Sequence, residues 1–67
     1  MIVVEVFAGE ADALLLKGKF SALPRTGEYL AIEQDGYFRH WNVREVWHRQ
    51  DAANAAFIPC IRVELDD

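Results

Sequence analysis

The dipeptide Asp35-Gly36, with the unbroken run Tyr37-Phe38-Arg39-His40-Trp41-Asn42-Val43-Arg44-Glu45-Val46-Trp47-His48-Arg49 behind it, constrains this chain more than any other stretch. Asp-Gly between alternating segments is a strong local hairpin signal, because a type I′ turn needs positive φ at both central residues. The run that follows is aromatic, β-branched and basic, which suits a pleated, half-buried surface. It holds both tryptophans, both histidines and three of the seven cationic residues. This predicts a long strand that other strands pair with, joined by the turn to a strand over Glu28 to Gln34.

The long strand changes phase. Trp41 and Val43 share one face of a regular strand, and Val46 and His48 share the other. One extra residue at Arg44-Glu45 brings Trp41, Val43, Val46 and His48 to one side and turns Trp47 outward. That is a β-bulge, a device that bends a strand round a barrel corner.

The remaining chain divides at turn residues. Ile2 to Phe7 has the two-residue period of a half-buried strand, and Gly9 breaks it. Ala13 to Phe20 resumes an extended pattern, with Leu14, Leu16, Gly18 and Phe20 on one side and Leu15, Lys17 and Lys19 on the other. A helix competes over Glu10 to Leu16, where Ala, Leu and Glu are good helix formers; the short length and Gly18 favour the strand. Ser21 to Gly27, with Pro24 and Gly27, is a connection. Leu30 and Ile32 point inward in the strand before Asp35. Gln50 to Ala56 is polar and alanine-rich, a loop or one helical turn with Asp51 as N-cap. Phe57 to Leu65 is the last strand, with Ile61, Val63 and Leu65 inward and Arg62 and Glu64 outward. Pro59 near its start suits an edge.

Sixty-seven residues make one domain, residues 1–67, with a small core and a thin margin of stability. The single cysteine, Cys60, has no intrachain partner, which implies a reducing compartment. No apolar run approaches the roughly 20 residues of a membrane span, and Met1-Ile2-Val3-Val4-Glu5 lacks the basic start of a signal peptide, so a cytoplasmic protein is expected. The net charge of −4 argues against a protein whose main task is neutralising phosphates. The charge is uneven, however. Arg39, Arg44 and Arg49 meet only Glu45 within the long strand, so they either form a local basic face or pair with acidic residues on neighbouring strands.

Five short strands punctuated about every ten residues predict an all-β fold, a small five-stranded antiparallel barrel with a bulged fourth strand. Phe20, the turn Leu23-Pro24-Arg25-Thr26-Gly27-Glu28, Asp35-Gly36 leading into Tyr37, then Trp41, Val43 and Val46, and finally Ile61-Arg62-Val63 form a pattern of turns and core positions. Over Phe20 to Leu65 this pattern resembles small SH3-like barrels of bacterial or phage origin. The resemblance implies a fold far more than an activity.

Candidate chemistry is sparse. His40 and His48 point to opposite faces, no Cys-x-x-Cys or His-x-x-x-His spacing occurs, and no metal or cofactor is expected. Cys60 with His48 as nucleophile and base lacks an oxyanion hole, and a small apolar filler is the simpler role for Cys60. The four glycines are isolated, so no phosphate-cradling loop is present. An enzyme is not expected. The binding candidates are Phe38, Arg39, His40, Arg44, Trp47 and Arg49. They suit a protein partner, including a second copy of the chain, because Trp, Tyr and Arg dominate interface hot spots. The alternative is single-stranded nucleic acid stacked on the aromatics.

Overall fold

The computed structural model describes residues 1–9 and 13–66. They form five strands and, among the described residues, no helix: β1 (Ile2–Ala8), β2 (Ala13–Phe20), β3 (Tyr29–Gln34), β4 (Tyr37–Gln50) and β5 (Phe57–Leu65). The expected strand over 13–20 is present, while Glu10 to Asp12 lie outside the described residues. All five strands join one sheet in the order β2-β1-β5-β4-β3, curled into a half-barrel.

The sheet is mixed, which corrects the expected all-antiparallel arrangement. β1–β2, β3–β4 and β4–β5 are antiparallel, but β1 and β5 run parallel, with Glu5 opposite Cys60, Val6 opposite Ile61, Phe7 opposite Arg62 and Ala8 opposite Val63. A parallel pair cannot be closed by a tight turn. Here the whole of β2, β3 and β4 serves as the connection, so no local signal announces it. The first and last strands therefore occupy the middle of the sheet. Pro59 consequently lies in an interior strand rather than an edge strand, one residue before the parallel ladder to β1 begins at Cys60.

One face holds the core. Val4 and Val6 of β1, Val43 of β4, and Ile61 and Val63 of β5 are fully buried there. All five are β-branched, a residue type that packs well on a pleated surface. Each contributes about 1.5–3 kcal/mol relative to exposure. β2 and β3 lie at opposite edges, so the segment 21–28 between them must cross this face. It lays Leu23 on the core and buries Pro24. Leu15, Leu16, Phe20, Leu30, Trp41 and Val46 complete the covering.

The turns follow their residues. Asp35 and Gly36 have φ of 53° and 90°, as a type I′ hairpin requires, and they join Gln34 directly to its partner Tyr37. Arg25 to Glu28 forms a turn closed by Glu28 N–H donating to Arg25 O at 3.1 Å. Gly27, with φ of 98°, then donates to Val43 O, while Val43 N–H donates to Glu28 O. This is a glycine-led bulge that feeds the crossing segment into β3. The 51–56 segment is a loop with an α-turn and no helix. Asp51 Oδ1 accepts from Ala53 N–H, and Asp51 O accepts from Ala55 N–H.

The fourth strand carries the expected bulge. Val43 pairs with Val63 and Glu45 with Arg62, leaving Arg44 without an opposite residue. Trp41, Val43, Val46 and His48 thereby share the core face, and Trp47 lies on the other. A second irregularity lies in β2, where Val6 pairs with Leu16 but Phe7 with Leu14. Leu15 is the extra residue. It packs on the core and moves Leu14 to the outer face, half-exposed, opposite to the side that simple alternation predicts.

Candidate functional site

The outer face is built around a buried carboxylate. Glu5 pairs with Cys60, which pairs with Trp47, so three neighbouring strands set these side chains in one row. Glu5 is only 4% exposed. Arg49, one row away on β4, reaches over β5 and donates from Nε to Glu5 Oε1 (2.8 Å) and from Nη2 to Oε2 (2.7 Å). Lys17 Nζ on β2 lies 3.9 Å from Oε2. On the other side of the row, Phe7 and Trp47 also meet across β5, with ring centroids 5.6 Å apart. Cys60 lies between these two crossings and has no exposed surface.

This geometry shifts protonation. The Arg49 hydrogen bonds outweigh the cost of burial and hold the Glu5 carboxyl below its ordinary range, and Glu5 in turn raises the Arg49 guanidinium. Burial, then the adjacent Glu5, pushes the Cys60 thiol up. A raised, fully covered thiol is a poor nucleophile. Cys60 fills a small space as expected, but on the outer face and against a carboxylate. His48 lies on the core side opposite Pro59, so Cys60 and His48 stand on opposite faces of the sheet.

The six candidate residues fall into two groups. Arg44, Trp47 and Arg49 belong to the outer face and have internal partners: Arg44 Nε lies 3.6 Å from Glu64 Oε2, Trp47 stacks on Phe7, and Arg49 holds Glu5. Arg62 adds a bond to Glu45 Oε1 at 2.6 Å. The arginines of this face are thus engaged by acidic neighbours, the second of the two arrangements open to them from sequence. His48, expected to point inward, does face the core side but is exposed, near the end of β4.

Phe38, Arg39 and His40 lie elsewhere. The β4–β5 ladder reaches only to the bond from Asp66 N–H to His40 O, so β4 before His40 pairs with β3 alone. The distal hairpin is a two-stranded ribbon. Its outer face carries Phe38 (66% exposed) and His40, and His40 makes an edge-to-face contact at 5.2 Å with Tyr29 (63% exposed), which lies at the base of the ribbon opposite Asn42. Its other face carries Tyr37 (55% exposed), with the Arg39 guanidinium 5.9 Å from the ring centroid. Tyr29 and Tyr37 were not singled out from sequence; Tyr37 directly follows the Asp35-Gly36 turn and Tyr29 directly follows Gly27-Glu28, and those places are the signal that could have found them.

Among the described residues no group of three or more His, Cys, Asp and Glu side chains is arranged to hold a metal ion, and no helix is long and apolar enough to cross a membrane. No protein-family model, curated protein or solved structure matches the chain.

Proposed function

We propose that this chain is a noncatalytic binding module that engages a protein partner through the distal β3–β4 hairpin. The carrying observation is the set of exposed aromatics on this hairpin, Phe38 and Tyr29 with His40 on the outer face and Tyr37 with Arg39 on the other, at and beside the end of the sheet where β4 pairs with β3 alone. Aromatic and arginine side chains on a rigid two-stranded scaffold lose little entropy on contact and favour interfaces. The ion pairs of Arg44, Arg49 and Arg62 with Glu64, Glu5 and Glu45 leave the outer face balanced rather than basic, which favours a protein over a phosphate backbone. The turn pattern shared with SH3-like barrels fits a small scaffold that presents surface rather than encloses substrate. The unpaired Cys60 fits a reducing, cytoplasmic setting.

The test places a photo-crosslinking residue at Phe38 in cells of the native host. Expected is a protein adduct that is lost when Tyr29 and Tyr37 are both replaced by Ser, with the melting temperature held. A salt series with single-stranded DNA and RNA decides the alternative. Tight binding that falls steeply with salt would replace the protein-binding reading by nucleic-acid binding.

A further inference from the structure

The half-barrel leaves two open edges, β2 and β3, and the two differ. An open edge is a template for another strand, and proteins commonly blunt it with lysines, bulges or proline. β2 is blunted twice. Lys17 and Lys19 stand on it, and its ladder is broken at Leu15. A two-fold pairing centred on Lys17 or Gly18 would also set lysines against each other. β3, Tyr29-Leu30-Ala31-Ile32-Glu33-Gln34, has no lysine, no proline and no irregularity, and one charged residue.

The hydrogen-bond phase of β3 is set at both ends. Glu28 O bonds to Val43 N at one end, and Gln34 and Tyr37 close the two-residue turn at the other. Antiparallel bonding alternates. Leu30, Ile32 and Gln34 therefore turn their N–H and C=O groups to β4, while Tyr29, Ala31 and Glu33 turn theirs to the open edge. A second copy related by a two-fold axis must place outward residues opposite outward residues. Only the register centred on Ala31 uses all three. It sets Ala31 against Ala31, Tyr29 against Glu33, and Leu30 against Ile32 of the other copy. The apolar pair falls on the core face, the small Ala31 falls at the axis, and no like charges meet.

Resting on the protein-binding reading above, we propose that the partner is a second copy of this chain, added antiparallel at β3 in the Ala31-centred register to make one continuous ten-stranded sheet. The interface is isologous and closes on itself. The Tyr29 and Phe38 aromatics then flank the seam on its outer face.

Sedimentation equilibrium of the full chain from micromolar to millimolar concentration, paired with amide hydrogen exchange, tests this. Expected is a reversible dimer, with exchange at Tyr29, Ala31 and Glu33 slowing as concentration rises. Ala31→Lys sets like charges directly opposite, and should weaken the dimer about tenfold or more while the dilute protein keeps its melting temperature. Ala31 is exposed, so this variant should fold. Ala31→Cys should oxidise to a covalent dimer, since paired Cα atoms about 5.5 Å apart suit a disulfide. A monomer at millimolar concentration would overturn the proposal, as would a dimer indifferent to Ala31→Lys. Concentration-dependent fibres would also overturn it, because they would mean head-to-tail β2–β3 addition. If the chain is monomeric but Phe38 still crosslinks to a different protein, only the self-pairing falls. If neither occurs, the binding-module reading falls with it.

Discussion

Deleting Arg44 and Glu45 together should unfold this protein, whereas replacing Arg44 by Ala should not. Arg44 has no opposite residue in the β4–β5 ladder, and its side chain is a half-exposed partner of Glu64. Such pairs contribute about 0–1 kcal/mol, so Arg44→Ala should lower the melting temperature by at most about 4–8 °C. Deleting Arg44 alone would leave Val43 opposite Val63 and Glu45 opposite Arg62 in regular alternation, with no side chain changing face; deleting both residues joins Val43 directly to Val46, and one half of β4 must change face. If residues 37–43 turn over, Val43 leaves the core at a cost of about 1.5–3 kcal/mol, and Trp41 adds a similar amount from its buried part. If residues 46–50 turn over, Val46 leaves the core and Glu5 stays buried without its bidentate partner. A domain of this size holds about 3–10 kcal/mol in total. A loss of at least 3 kcal/mol corresponds to about 12–24 °C. Thermal unfolding followed by circular dichroism on both variants side by side measures this. If the two-residue deletion melts within a few degrees of Arg44→Ala, the bulge does not set which faces Trp41, Val46 and Trp47 occupy.

Three further outcomes are expected. Gly36→Val should cost about 1 kcal/mol or more, read as a drop in melting temperature, because φ of 90° is strained for a β-branched residue. Ala55 has φ of 61°, so Ala55→Gly should stabilise the fold by about 0.5–1 kcal/mol in denaturant titration, and a loss instead would show that the 51–56 loop adopts another conformation. Glu5 is held below its ordinary value of 4.5 in the folded state. Its contribution should be complete above that pH and fade as pH falls toward the lower folded value, so Glu5→Gln should flatten the acid limb of the stability profile, and an unchanged limb would refute the buried pairing.

The positions of the five strands, the Asp35-Gly36 turn and the bulge at Arg44 were legible in the amino-acid sequence because each rests on local causes: a two-residue period, residues that tolerate positive φ, and a phase slip visible in one run. The exposed Phe38 and His40 follow from the same alternation. Leu14 was misplaced for a local reason too, since a bulge at Leu15 leaves no mark among three consecutive leucines. The parallel union of β1 with β5 and the order of the sheet were decided by tertiary structure alone, because they join residues more than fifty positions apart and minimise exposed apolar area over the whole chain. That union also makes the outer face what it is. Only when β1, β5 and β4 lie side by side do Glu5, Cys60 and Arg49 meet, and a glutamate that sequence reads as a solvated strand residue becomes a buried anion held by an arginine 44 positions away. The same assembly leaves β2 and β3 as the two edges, so which backbone groups face an empty side was set by the sheet order, while the lysines that guard one edge and not the other were written in the chain from the start.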